Sequence, residues 1–178
     1  MRLMRHRLRP PVLRIAARVL LTGALALAPL LFCATTMAQT AAEGSPRAVM
    51  EKHGLLGAWA YDCSKRASDD NSYVVYRALD ERRVQRDVMA SPARRTAVGL
   101  VESAAEVGPH EVEITNVITS TNGEEFRDVN TFRIDGNRKR SLERATNGKK
   151  QVAGGIFLKT KENAGWSGKT VPWDYRCD

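Results

Sequence analysis

Few residues of this chain are spaced for chemistry. It has 178 residues with three histidines and three cysteines, and one of each, His6 and Cys33, falls before residue 38. A hydrolase needs a nucleophile with a base in hydrogen-bonding reach. No Gly-x-Ser-x-Gly elbow occurs, and the remaining imidazoles are His53 and His110. His53 ends a short helical pattern, where an imidazole simply favours the dipole's negative end. His110 follows Gly108-Pro109 in a turn. No catalytic residue is assigned, and the chain reads as non-enzymatic. In His110-Glu111-Val112-Glu113 the alternation of a strand points His110 away from both glutamates. Asp69-Asp70-Asn71 lacks the spacing of a calcium loop. Neither a metal nor any other cofactor is expected.

The remaining candidates are Cys63 and Cys177. No Cys-x-x-Cys spacing and no neighbouring histidine suggest a redox or zinc site, so the pair reads as a structural disulfide. That needs an oxidising compartment, and the leader supplies one. Residues 1–18 hold six arginines and no acid, residues 19–32 are uncharged and mostly apolar, and Thr36-Met37-Ala38 is a small-residue cleavage signal. This order predicts a signal peptide over residues 1–38, cut between Ala38 and Gln39, and a periplasmic or secreted protein. The apolar run is broken by Gly23 and Pro29, so no stable membrane insertion is expected after cleavage.

The leader also reshapes the charge argument. The whole chain carries +8, but six of its 28 basic residues lie in the leader, leaving 22 against 20 acidic ones. Near balance gives no reason to expect nucleic acid. The basic runs Arg82-Arg83, Arg94-Arg95, Arg138-Lys139-Arg140 and Lys149-Lys150 lack interleaved stacking aromatics. They read as solvated strand ends, with anionic lipid or polysaccharide contact as the alternative.

Residues 39–44 are small and polar and are expected to be disordered; residues 45–178 fit one domain. Ser45 as N-cap, Pro46 at the first helical position and Gly54 as the stop predict one helix over 46–53. Thereafter short β-like runs recur near 55–63, 72–79, 83–90, 95–103, 111–119, 124–134, 138–145, 149–158 and 170–177. Asn122-Gly123, Asp135-Gly136-Asn137 and Asn147-Gly148 supply the positive φ of tight hairpins. Val152, Gly154, Ile156 and Leu158 alternate as one strand should. Val117 and Ile118 break the alternation of Val112 and Ile114, which suggests a bulge or a misplaced boundary. The fold class is therefore all-β: an antiparallel up-and-down barrel of about eight to nine strands with one short N-terminal helix, the open choice being a sandwich. In such a barrel the first and last strands are neighbours, so a Cys63–Cys177 bond would lock the closing seam.

Gly57-Ala58-Trp59, on the first strand after a short helix, resembles the Gly-x-Trp of lipocalin-like (calycin) barrels. The resemblance implies that Trp59 closes the narrow end, that a basic residue of the last strand, Arg176, packs on it, and that the open end holds a small apolar ligand. Tyr76, Phe126 and Phe132, at apolar parity in middle strands, are the expected cavity lining. Trp173 and Tyr175 share a strand face and read as packing around the seam, the alternative being a pocket wall. A second resemblance is to bacterial secreted metalloprotease inhibitors, also exported barrels with an early Gly-x-Trp. The expected function is thus non-catalytic binding of a small apolar or amphipathic molecule. The alternative is a protein-binding module, such as a secreted-protease inhibitor or an accessory factor with an envelope protein partner.

Overall fold

The structure, a computed structural model, describes residues 44–177. The expected signal peptide and its cleavage site, with residues 39–43 of the expected disordered segment, lie outside the described residues. Helix α1 (Pro46–Lys52) has the expected ends: Ser45 Oγ accepts from the Ala48 N–H at 3.2 Å, and Gly54 leaves the helix at φ 63°, a conformation cheap for glycine. The helix buries Met50 completely. Its last turn is tied to the sheet, because Lys52 and His53 both reach Glu106 Oε2, at 2.7 and 3.2 Å. These two contacts, Lys52 foremost, hold the Glu106 carboxyl below its usual range. Among the described residues no helix is long and apolar enough to cross a membrane.

Ten strands follow: β1 (Gly57–Ala60), β2 (Tyr73–Ala78), β3 (Val84–Ser91), β4 (Arg94–Gly108), β5 (Glu111–Ser120), β6 (Glu125–Asp135), β7 (Arg138–Thr146), β8 (Lys149–Ala153), β9 (Ile156–Phe157) and β10 (Asp174–Arg176). Each pairs antiparallel with the next through β9. Strand β10 pairs with β1 on one side and with the start of β7 on the other. The ring β1 to β7 plus β10 is therefore a closed eight-stranded antiparallel barrel, which leaves no free edge. The second half of β7 instead pairs with β8, so β8 and β9 extend the sheet beyond the ring. The all-β barrel with one short helix matches the reading of the sequence.

The disulfide Cys63–Cys177 is present, with Cα atoms 5.1 Å apart and 114 positions between them in the chain. It lies at the seam, where Trp59 pairs with Arg176 and the Cys177 N–H donates to the Ala58 carbonyl at 2.8 Å.

Inward side chains sort by height in the barrel. At the end capped by α1 they are apolar apart from Lys139: Met50, Leu55, Trp59, Tyr76, Val84, Val101, Val112, Ile114, Phe132 and Ile134 form one buried cluster. Towards the other end the same parity brings in Asn116, Asp128 and Asn130, all buried. Half-buried Arg86 shares that parity, alternating with Val84 and lying opposite Tyr76.

Four expectations need correcting. Residues 149–158 are not one strand: Gly154 and Gly155, at φ 57° and 75°, turn the chain into the β8–β9 hairpin, as a two-residue loop with both φ positive does. Strand β5 contains no phase shift. Val112, Ile114, Asn116 and Ile118 are all buried on one parity while Val117 is half-buried on the other, so an inward asparagine had disguised the pattern. The irregularities sit opposite, in β4, between Val101 and Ser103 and again between Glu106 and Gly108. Lys139 is not a solvated strand end but 1% exposed, because β7 turns it inward between Arg138 and Arg140. Trp173 and Tyr175 do not pack the core. Tyr175 is 40% exposed, and Trp173 lies half-buried against Arg138 and Arg140.

Candidate functional site

The barrel mouth opposite α1 carries a half-open pocket of 360 Å³, lined by Phe126, Arg144, Thr146, Asn147, Lys149, Gln151, Glu162 and Asn163. That volume falls at the low end of small-molecule sites. Three strands, a turn and a loop build it. Strand β6 delivers Phe126, opposite Ile118. Strand β7 delivers Arg144 and Thr146, opposite Asn130 and Asp128. The β7–β8 turn supplies Asn147, and strand β8 and the loop after β9 supply the rest.

The loop is stitched down by side chains. Thr160 Oγ1 donates to Gln151 Oε1 at 2.7 Å, and Asn163 Nδ2 donates to the Gln151 carbonyl at 2.7 Å. Asn163 in turn caps its own loop, its carbonyl accepting from the N–H groups of Trp166 and Ser167. Across the loop base the Gly168 N–H donates to the Phe157 carbonyl at 2.9 Å and the Phe157 N–H to the Lys169 carbonyl at 3.0 Å. Pocket wall and β8 thus share one hydrogen-bonded frame, which is how a loop presents a preformed surface.

The pocket's charges cancel. Asp128, whose side chain is 2% exposed, accepts from Arg144 Nε at 2.8 Å and from Thr146 Oγ1 at 3.1 Å. This fixes the guanidinium and neutralises it. Of the two remaining ions Lys149 is positive and Glu162 negative. The backbone N–H of Glu162 and then the Thr160 hydroxyl hold the Glu162 carboxyl below the usual range, so it is ionised at neutral pH. What faces a ligand is one aromatic ring, a hydroxyl, three amides and two opposite charges. Among the described residues no three of His, Cys, Asp and Glu converge as metal ligands.

Of the three residues expected to line a cavity, Phe126 lines this pocket, while Tyr76 and Phe132 lie in the packed cluster at the capped end, 1% and 5% exposed. The sequence reading missed Arg144, Thr146, Gln151 and Asn163. A signal for them existed: Asn116, Asp128 and Asn130 alternate with Ile114, Ile118 and Phe132, and polar residues at inward parity mark a wet section of a barrel.

Trp59 sits under α1, its Nε1–H donating to the Leu55 carbonyl at 2.9 Å. Arg176 stands opposite Trp59 in the β1–β10 register, with Nη1 3.5 Å from the Gly54 carbonyl. A second cation lies nearby that the sequence reading did not anticipate. Lys139 Nζ is 5.1 Å from the Trp59 ring centre, 4.5 Å from that of Phe132, and 3.0 Å from Asp174 Oδ2. Comparison with known proteins finds no match to a family model, to a curated protein or to a solved structure.

Proposed function

We propose that this chain is an exported, non-catalytic binding protein that takes a small amphipathic molecule at the mouth of a lipocalin-like barrel. The observation that carries the reading is the preformed pocket opposite α1. Its ring and polar groups suit a molecule whose apolar part lies on Phe126 and whose neutral or zwitterionic head bonds to Thr146, Gln151 and Asn163. A purely apolar ligand in the barrel centre is less well supported, since Tyr76 and Phe132 are packed. The seam disulfide and the arginine-rich leader support export. The closed eight-stranded ring, with Trp59 under a short helix, supports the lipocalin-like assignment, a fold-level analogy only.

The test is native mass spectrometry of protein purified without detergent, paired with titration of a neutral phenylnaphthylamine dye. The expected result is a bound small mass lost on organic extraction, and one saturable dye site abolished by Phe126→Glu in a variant that still melts cooperatively. A bare monomer mass together with no saturable dye uptake by folded protein would refute the proposal.

A protein-binding role has one observation in its favour. Ile156 and Trp166, 45% and 53% exposed, share the β9 corner, where Trp166 leans on Phe157 at 5.9 Å between ring centres. Under that reading Trp166→Ala removes a stoichiometric envelope partner and leaves dye uptake intact.

A further inference from the structure

A second pocket lies at the capped end on the outer face, with no residue in common with the mouth pocket. It measures 530 Å³ and is lined by the Pro109-His110 turn, the end of β6 from Arg133 to Asp135, Gly136 in the turn after it, Arg140 and Trp173. Along β6 from Phe126 to Ile134 the two sites are roughly 26 Å apart, at ~3.3 Å per residue.

Its charges, unlike those of the mouth, do not cancel. Arg133 Nη2 donates to Glu111 Oε1 at 2.9 Å. Arg138 is paired with Asp135, and holds that carboxyl below its usual range. Arg140 has no acid. Its guanidinium carbon lies 4.8 Å from the centre of the Trp173 ring, beside that of Arg138 at 4.5 Å. Its Nε–H is buried and has no hydrogen-bond partner among the described residues. A buried N–H left unmade is costly, the more so on a charged group, and a guanidinium's paired donors match a carboxylate's two oxygens.

The frame around Arg140 is rigid. Trp173 directly precedes β10, one residue before the Asp174–Lys139 pair of the ladder, and stacks on Arg140 there. The opposite wall is fixed too, since the His110 carbonyl accepts from the Ile134 N–H at 2.8 Å.

We infer that this pocket binds a small organic carboxylate, its oxygens on Arg140 and its carbon skeleton against Trp173. One uncompensated cation favours a monoanion over a doubly charged phosphate. The carboxylate could be a free acid or a uronic-acid residue of an oligosaccharide; both present the same group. The site does not depend on the mouth pocket or on the reading given for it.

The test is a two-dimensional NMR titration of the oxidised protein with sodium glucuronate, with a uronic-acid trisaccharide, and with sodium chloride at matched ionic strength. The expected result is saturable movement of the Arg140 Nε–H and Trp173 indole N–H signals with glucuronate and none with chloride. Tighter binding of the trisaccharide assigns the oligosaccharide as source, and equal binding assigns the free acid. Arg140→Gln should weaken binding by about tenfold or more, the ratio implied by one lost charge-assisted bond. Arg140→Lys, which keeps the charge and loses the fork, should fall between. Arg127→Gln, in the Arg127–Glu102 surface pair, should change nothing. No saturable movement with either carboxylate, equal movement with chloride, or unchanged affinity in folded Arg140→Gln overturns the inference.

Discussion

Removing either partner of the Lys139–Asp174 pair should have very different consequences. The Lys139 side chain is 2% exposed and that of Asp174 36%, so the ammonium has surrendered its water and the carboxylate has not. Asp174→Asn strands the ammonium between the Trp59 and Phe132 rings. Leaving a buried charge uncompensated costs about 3–5 kcal/mol; the asparagine carbonyl can still accept one bond from Nζ, which lowers the expected cost to about 2–3 kcal/mol. Lys139→Met removes the buried charge itself, keeps most of the packing volume, and returns Asp174 to solvent. That change should lie within about 1 kcal/mol of wild type. For a domain of this size 1 kcal/mol moves the melting temperature by roughly 3–5 °C. Asp174→Asn should therefore melt about 8–12 °C low, and Lys139→Met within about 4 °C of wild type. The double variant should track Lys139→Met, since the two sites are coupled. Urea and thermal unfolding followed by circular dichroism under non-reducing conditions reads all three. If Lys139→Met proves as destabilising as Asp174→Asn, the ammonium is a net source of stability and the reasoning is wrong.

Reduction of Cys63–Cys177 frees a loop of 114 residues, an entropic loss of at most ~4–5 kcal/mol; reducing and non-reducing melts that coincide would exclude a stabilising role. Gly99→Val should cost about 1–3 kcal/mol in urea unfolding, because a Cβ there would meet the Val117 carbonyl at 2.6 Å and Ile118 Cγ1 at 2.9 Å. Asp80 accepts from the backbone N–H groups of Arg82 and Arg83 and from the Arg83 guanidinium, which lower its carboxyl from 3.8 to about 2. A depressed carboxyl lends stability above its ordinary value and loses it as pH falls towards 2. Asp80→Asn should thus flatten the acid limb of the stability curve, and a carbon-detected titration midpoint near the ordinary aspartate value would contradict the assignment.

Where the sequence was readable, local chemistry was decisive. Ser45, Pro46 and Gly54 bound α1 because caps act within a few residues, and Asn122-Gly123, Asp135-Gly136 and Asn147-Gly148 mark three hairpins correctly. The disulfide was legible because two cysteines without histidine neighbours have few other uses. What stayed hidden depended on partners far away in the chain. Lys139 is inward because β7 pairs with β10, thirty-five positions on, and nothing in Arg138-Lys139-Arg140 distinguishes the middle residue. The Gly154-Gly155 turn imitates strand alternation, since glycine is silent in a polarity pattern. Of the mouth pocket only Phe126 was anticipated, because apolar parity was taken as the mark of a ligand site, whereas at Tyr76 and Phe132 it marks the packed end.

Closure of the ring by β10 has a consequence for how the chain matures. Strands β1 to β7 pair with their immediate successors, contacts that can form as each segment emerges. The partner that covers the outer edge of β1 and completes the edge of β7 is β10, at residues 174–176. Until that segment arrives, the nascent sheet is an open ribbon with two unsatisfied borders, of the kind that recruits neighbouring chains. Ring completion joins segments more than a hundred positions apart, which makes it the slow step for a β topology. Thiol pairing at the seam needs Cys177, the residue directly after β10, so the disulfide and the last ladder of the ring become possible at the same point in the chain.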